Sequence, residues 1–311
     1  MNKTGNHQQP VLLSGSNKLA YSIALCLLRA GQKVTLLTSD AGAASRYFTR
    51  HTTASLTKCD PENLEITTHL RVASDFSMVI ALTGEDLSEK QQVIAELEAI
   101  LPEETLIAIN TEVIPLSELQ ENTVAPERIL GANWVEPADT TYFLEIIANG
   151  ITLSSYTDYF CKTAAENWLK DPYVISGESG IRMRLFAAML REAFYLVGNG
   201  YANIGDIDRA CRNDAGYYLP FAGNLRYMDL MGTHAYGMVM KDLNPELARD
   251  IVAPDFFTEM IRNKQLGMES GAGFYSYQPG ESEKWALLME EFSREINGLF
   301  QKYPFNGKAP S

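Results

Sequence analysis

The feature that most constrains this chain is an alternation of short apolar runs with helical patterns through its first half. Val11-Leu12-Leu13 is a short apolar run that ends at Ser14-Gly15. Ser22 to Ala30 carries helical spacing and is closed by Gly31, and Lys33 to Thr38 is a second β-rich run. Strand, glycine-bearing turn, helix and strand within about thirty residues make a βαβ unit. The alternation continues with Met78 to Leu82, a helical stretch from Ser88 to Ile100, the strand Leu106 to Ile109 and a short helix from Pro115 to Leu119. Such an order argues a parallel sheet with helices on both faces. Ligands bind these sheets at the carboxyl ends of the strands. Thr38, Thr83, Asn110 and Asn133 fall at such ends and are expected to converge on one crevice.

The first turn reads G-x-N-x-x-A, with Gly15, Asn17 and Ala20 at the positions of a dinucleotide-binding G-x-G-x-x-G/A. Gly15 can make the tight turn, and Ala20 is small enough for close helix–strand packing. Asn17 is the departure, because the middle glycine normally lets the backbone approach the phosphates. Asparagine tolerates positive φ better than most residues, so the turn can survive it. The acid expected at the end of the second strand, for a ribose hydroxyl, is replaced by Thr38 and Ser39, with Asp40 beyond and Arg46 the nearest arginine. A hydroxyl pair can bind a ribose and does not repel a 2′-phosphate, which keeps NADP open beside NAD.

From Gly131 to Ile147 the chain reads as a strand, a proline-bearing loop and a second apolar strand, with Glu145 among Leu144, Ile146 and Ile147. An acid in an apolar run either faces outward or has a partner or a task. The stretch alone leaves both open.

A net charge of −13 over 311 residues repels nucleic acid and anionic membranes from most of the surface. No leader pattern and no run of 18 apolar residues is visible. Cys26, Cys59, Cys161 and Cys211 lack CxxC spacing and read as reduced thiols of a cytoplasmic protein, and His7, His51, His69 and His234 form no metal-binding pair. After a helix from Cys161 to Leu169 and a connector, Asp171 to Ile175, the pattern turns helical: Arg182 to Asn199, Ile204 to Asn213, Leu225 to Met240, Pro245 to Ile251 and Phe256 to Lys264. Two domains are therefore expected, a Rossmann-like α/β domain over residues 1–170 and an all-α domain over 171–311.

Gly200 to Gly216 (GYANIGDIDRACRNDAG), Pro220-Phe221, Leu225 to Gly232 (LRYMDLMG) and Asn263 to Tyr277 (NKQLGMESGAGFYSY) resemble the C-terminal domain of 3-hydroxyacyl-CoA dehydrogenases. Leu106 to Ile147 resembles the end of that family's NAD domain, so the likeness runs in order from Val11 to Tyr277. It implies hydride transfer between NAD and a 3-hydroxyacyl thioester, with a histidine base oriented by a glutamate, and a homodimer paired through the helical domain. Glu145 matches the family's glutamate, twelve residues after the histidine position, which here is Asn133. The family's serine is Glu112, the asparagine of its H-F-F-N-P motif is Glu136, and its later asparagine is Gly177. An amide cannot accept a proton, so no His–Glu pair operates, and extra carboxylates near Glu145 should raise at least one pKa. The stretch from Asp40 to Ser77 looks short for the family's CoA-holding arm, and Trp285 to Phe300 adds an amphipathic helix beyond the usual end. Three readings stay open: a dehydrogenase with Glu145 or Glu112 as its base, a binder of a nucleotide or acyl ligand without turnover, and a structural dimer.

Overall fold

The computed structural model describes residues 9–53, 60–70 and 76–304. Its centre is one eight-stranded sheet. β1 (Val11–Ser14) is followed by α1 (Lys18–Arg29), β2 (Val34–Leu37), α2 (Ala41–Thr53), β3 (Leu64–Thr67), β4 (Met78–Ala81) and α3 (Leu87–Glu98). Then come β5 (Leu106–Ile109), α4 (Leu116–Gln120), β6 (Ile129–Asn133), β7 (Phe143–Ala148), α5 (Ser154–Asn167) and β8 (Asp171–Ser176). The strand order is β3-β2-β1-β4-β5-β6-β7-β8. The first six strands are parallel, and β7 turns antiparallel to β6 with β8 parallel to β7. The chain reverses its lateral direction between β1 and β4, which is where an open α/β sheet makes its ligand crevice.

The parallel strands are buried on both faces, so they read as continuous apolar runs and not as alternations. Leu13, Ile23, Leu27 and Leu36 pack on one face, while Leu12, Val79, Ile94 and Ile107 pack on the other. The Rossmann-like architecture read from the sequence is the observed one. Three local readings differ. Asp171 to Ser176, expected as a connector, is β8, because its backbone pairs with β7 along the whole edge. The sheet therefore extends past residue 170, and the compact units divide after Met183. The helix expected from Cys161 begins earlier, at Ser154. α2 and β3 had no clear periodic signal.

The second unit is helical: α6 (Arg182–Gly198, which begins in the first unit), α7 (Ile204–Ala210), α8 (Gly216–Met231), α9 (Thr233–Leu243), α10 (Asp255–Arg262) and α11 (Glu281–Lys302). The single helix expected from Leu225 to Met240 is divided at Gly232, whose φ of 101° no right-handed helix allows. The helix expected from Pro245 to Ile251 shrinks to one 3-10 turn, Asn244–Glu246, since Pro245 suits a first turn and the residues after it leave helical geometry. Among the described residues no helix is long and apolar enough to cross a membrane. Cys26, Cys161 and Cys211 are free thiols, and Cys59 and His7 lie outside the described residues.

Candidate active site

The turn from β1 into α1 is built by close packing. A Cβ at Gly15 would lie 2.9 Å from the Ala20 Cβ and 3.1 Å from the Leu82 Cβ, so only glycine lets helix, turn and neighbouring strand meet here. Asn17 adopts an extended backbone (φ −127°, ψ 171°), and its carboxamide oxygen accepts the Ala20 N–H at 2.9 Å. The departure from glycine thus serves as the N-cap of α1 and needs no left-handed turn, contrary to the expectation of a tolerated positive φ.

Thr38 is buried. Its hydroxyl lies 3.2 Å from Ser16 Oγ and 3.4 Å from the Tyr21 hydroxyl, which uses it inside the fold. The surface-facing hydroxyls at this end are Ser16 and Ser39, joined at 2.9 Å. Asp40 accepts the Ala43 N–H at 2.8 Å and so caps α2. On the other side of β1, Thr83 and Asn110 join the ends of β4 and β5 reciprocally: Thr83 N–H donates to Asn110 Oδ1 at 2.9 Å, and Asn110 Nδ2 donates to the Thr83 carbonyl at 3.0 Å.

Lys90 was not singled out from the sequence. Its ammonium is buried at these strand ends, donating to Thr83 Oγ1 (3.0 Å) and the Asn110 carbonyl (2.6 Å), with Glu85 Oε1 at 3.1 Å. Burial pushes its pKa down, and Glu85 opposes the shift. A signal was present, because Lys90, Ile94 and Leu97 share the buried face of α3 at i, i+4 and i+7. The glycine cradle, the N-terminus of α1 at the crossover, the two exposed serines and Lys90 together fit a dinucleotide.

The strand pair β6–β7 places Asn133 directly opposite Glu145. Both are fully buried. Glu145 Oε2 accepts from Asn133 Nδ2 at 3.0 Å. Its Oε1 accepts from the Tyr173 hydroxyl (3.0 Å) and from the N–H groups of Ile181 (2.9 Å) and Arg182 (3.1 Å), at the start of α6. Four donors, two of them main-chain amides at a helix N-terminus, satisfy the carboxylate in place. Asn133 is also spoken for: its Nδ2 donates to the Thr111 carbonyl at 2.8 Å, and its Oδ1 accepts the Thr111 N–H at 2.8 Å. Gly180 completes the nest, since a Cβ there would stand 1.9 Å from Glu145 Oε2.

Glu112 has different surroundings. Its Oε1 accepts from Arg182 Nη1 at 2.9 Å, and its Oε2 is buried with no hydrogen-bond partner. Its main-chain N–H donates to Glu85 Oε2 at 3.3 Å, and the Arg182 guanidinium lies 5.8 Å from the Phe143 ring centre. Burial pushes the Glu112 pKa up, Arg182 pulls it back, and Glu145 and Glu85 add smaller upward pushes. The expected rise among neighbouring carboxylates is present, with desolvation as its main cause. Glu136 is exposed on the β6–β7 loop, and Gly177 closes β8 with its N–H on the Ala148 carbonyl. Tyr173 and Arg182 are the residues of this site that sequence reasoning missed. Reading Asp171 to Ile175 as a connector hides the strand that aims Tyr173, and Arg182 is legible only as the start of a helix.

The family model for the 3-hydroxyacyl-CoA dehydrogenase NAD-binding domain matches residues 12–178, and the one for that family's C-terminal domain matches residues 181–277. The chain is 28% identical over 225 residues to the 5-formyl-3-hydroxy-2-methylpyridine 4-carboxylate 5-dehydrogenase of Mesorhizobium japonicum, covering 72% of each chain. It is 28% identical to the 3-hydroxybutyryl-CoA dehydrogenase of Mycobacterium tuberculosis, over 86% of this chain and 98% of the other. It spans only 28% of the fatty acid oxidation complex α subunit of Vibrio vulnificus. The crystal structure of a 5-formyl-3-hydroxy-2-methylpyridine 4-carboxylic acid 5-dehydrogenase, described as an NAD+-dependent dismutase, shares the fold with a TM-score of 0.85. That likeness covers 94% of this chain and 98% of the other at 22% identity. With the sheet order, the glycine cradle and the β6–β7 strand pair on the same footing, the chain belongs to the 3-hydroxyacyl-CoA dehydrogenase family.

Proposed function

We propose that this family member is an NAD-dependent dehydrogenase in which Glu112, paired with Arg182, takes over the proton transfer that a His–Glu pair performs elsewhere in the family. One observation carries the reading. Glu112 is the carboxylate of the crevice with an unpartnered oxygen and an upward-shifted pKa, whereas both oxygens of Glu145 are hydrogen-bonded. A general base needs a lone pair free toward the substrate and a pKa moved toward neutrality. Of the two glutamates put forward from the sequence, Glu112 has an unpartnered oxygen, buried in this state, and a raised pKa, and Glu145 is a positioning residue. Asn133 pins Glu145 and Thr111.

In this reading the turn at Gly15 would hold NAD, which would supply the hydride acceptor. Gly15 and Ala20 keep the turn tight, Ser16 and Ser39 face the ribose end, and Lys90 ties the ends of β4 and β5 together through Thr83 and Asn110. Glu112 takes the hydroxyl proton of the alcohol substrate while Arg182 steadies the carboxylate. In the reverse direction Glu112 returns that proton to the carbonyl. The substrate is a small hydroxy or oxo compound of the 3-hydroxyacyl type or an oxo-acid like that named for the Mesorhizobium relative. The protein works in the cytoplasm as a homodimer through its helical domain.

A second reading, ligand binding without turnover, is favoured by the complete pairing of Asn133 and Glu145. The experiment that separates the two is calorimetric titration with NAD and NADP, followed by nicotinamide absorbance with acetoacetyl-CoA and with small aldehyde carboxylates. Turnover in the unmodified protein that Glu112→Gln removes supports the first reading. Cofactor binding with no turnover on either substrate class, together with turnover on installing Asn133→His, supports the second. No binding of either cofactor overturns the first reading, and no binding of acetoacetyl-CoA besides overturns both.

A further inference from the structure

Arg182 opens α6, and its main chain and side chain serve different partners. The N–H donates to Glu145 at 3.1 Å, while the guanidinium turns to Glu112, with Nη1 2.9 Å from Oε1 and 3.2 Å from the Met183 Sδ. Among the described residues, every hydrogen bond of the guanidinium is made by that one nitrogen. Nε and Nη2 have no partner there, and the side chain is 35% exposed, against 1% for Arg128. Nε–H and the Nη2–H beside it form one edge of the planar fork that grips a carboxylate with two parallel bonds. Glu112 uses one corner of the guanidinium and leaves that edge open.

Lys90, by contrast, is filled: its ammonium donates to Thr83 Oγ1 and the Asn110 carbonyl and pairs with Glu85. The open edge of Arg182 is also held in place. Its guanidinium lies 5.8 Å from the Phe143 ring centre, and that ring packs edge-on against Tyr173 with centres 5.9 Å apart. Glu112, Glu145 and Glu85 crowd the same place, and the last two both act on the Glu112 carboxyl. A further anion enters such surroundings only where a cation offsets the repulsion. A neutral group gains nothing comparable from the edge.

We infer that the Nε–Nη2 edge of Arg182 is a carboxylate subsite, and that the substrate is a short free hydroxy or oxo acid and not its coenzyme A thioester. The inference rests on the dehydrogenase reading above, from which it takes Glu112 as the place of the reacting oxygen, and it names the class of that substrate. A hydroxyl at Glu112 and a carboxylate on the open edge are one guanidinium apart. The acid group therefore stands a few bonds from the reacting carbon, as in α- and β-hydroxy acids and in ortho aldehyde acids. A thioester has no charge at that distance and leaves the edge without a partner. The phosphates of coenzyme A lie many bonds further along the molecule, away from a group beside Glu112.

The test is calorimetric titration of the full chain, with and without NADH, using acetoacetate, 2-formylbenzoate, the methyl ester of each, and coenzyme A. At least one acid should bind tighter than its ester by about tenfold or more, as a charge-assisted bidentate pair allows. Arg182→Met should bring that acid down to the level of its ester, with the affinities for the ester and for NADH unchanged. Arg182→Lys keeps the charge without the fork and should restore part of the preference. Losing Arg182 also leaves Glu112 easier to protonate, which favours an anion, so a fall in acid affinity reports the edge itself. Equal binding of acid and ester, no binding of either acid, or a preference that survives Arg182→Met overturns the subsite. A loss in Arg182→Met confined to coenzyme A places a phosphate there and overturns it too. Acid binding through Arg182 without oxidation of NADH strikes the dehydrogenase reading and leaves the subsite. Turnover of acetoacetyl-CoA that Glu112→Gln removes, with no preference for the acids, does the reverse.

Discussion

Glu145 and Glu112 stand in the same crevice, and nearly everything that separates them is the number of donors each one meets. Glu145 is wholly buried and receives four hydrogen bonds, two of them from the first amides of α6. Glu112 is partly open, receives one bond on one oxygen and none on the other, and sits beside a guanidinium. A carboxylate deep in protein is stable when its lone pairs are filled, and it becomes reactive when burial is uncompensated. The first acid holds the strand pair to the helix start. The second keeps an unpartnered oxygen and a pKa that burial pushes up.

The sharpest way to break this contrast is to crowd the filled site. Gly180→Ala would put a methyl 1.9 Å from Glu145 Oε2, which displaces the carboxylate from its donors. A buried charge stripped of its partners costs about 4 kcal/mol, so chemical denaturation should show a loss of that size. A variant as stable as the parent would mean that the nest is not what holds Glu145.

Next comes the reactive side. On the reading proposed above, Glu112→Gln should lower kcat by a factor of about 100 or more, in keeping with general-base catalysis. Folding stability should hold or rise slightly, because the raised pKa means that the fold disfavours the charged form. That group stabilises the fold below the ordinary glutamate pKa of 4.5 and loses this contribution as pH rises through its upward-shifted value. Activity has the opposite sign: it should climb over the same rise, as Glu112 gives up its proton, and the climb should vanish in Glu112→Gln. A parent profile that is flat through the acid range would remove Glu112 from the role.

These two sites were unequally legible in the sequence. β1, α1, β4 and β5 could be read because two-sided burial writes itself as unbroken apolar runs, and because Gly15 and Gly31 punctuate them. Glu145 could be placed by its spacing from Asn133. Its donors could not, since three of the four come from Tyr173, Ile181 and Arg182, well downstream in sequence. Tyr173 lies on an edge strand, where Pro172 near the start made the short Tyr-Val-Ile run read as a connector. Asn17 was judged as a damaged glycine, whereas capping, a local side-chain-to-backbone bond, accounts for it. α11 was visible as helical periodicity, but no one-chain pattern says which face a helix will bury.

Arg182 tests whether side chain and backbone serve the two acids separately. Its guanidinium pairs with Glu112 and its N–H with Glu145. Arg182→Met keeps the second bond and removes the first. The Glu112 pKa should then move further up, since Arg182 is the group that lowers it, and the acid limb of the rate profile should shift to higher pH. A tenfold fall in rate at neutral pH with little change in stability is the expected pattern, about 1.4 kcal/mol in barrier height. A large loss of stability instead would show that the guanidinium, and not the amide, anchors the start of α6.

Tyr173→Phe asks the least of the molecule and discriminates the most finely. It deletes one of the four donors to Glu145 and keeps the ring against Phe143, whose centre lies 5.9 Å away. Burial, the Glu145 charge and the hydrogen bond to it all push the Tyr173 pKa up, so the phenol stays protonated and donating throughout the neutral range. The stability it lends is therefore present below the ordinary phenol pKa and lost only in strong alkali. With three donors remaining, the cost should be about 1 kcal/mol, the worth of one hydrogen bond in a site that stays otherwise satisfied. The rate profile should keep its Glu112 limb. If Tyr173→Phe instead abolished turnover while stability held, the phenol would be the proton-transfer group, and the roles assigned to the two glutamates would have to be redrawn around it.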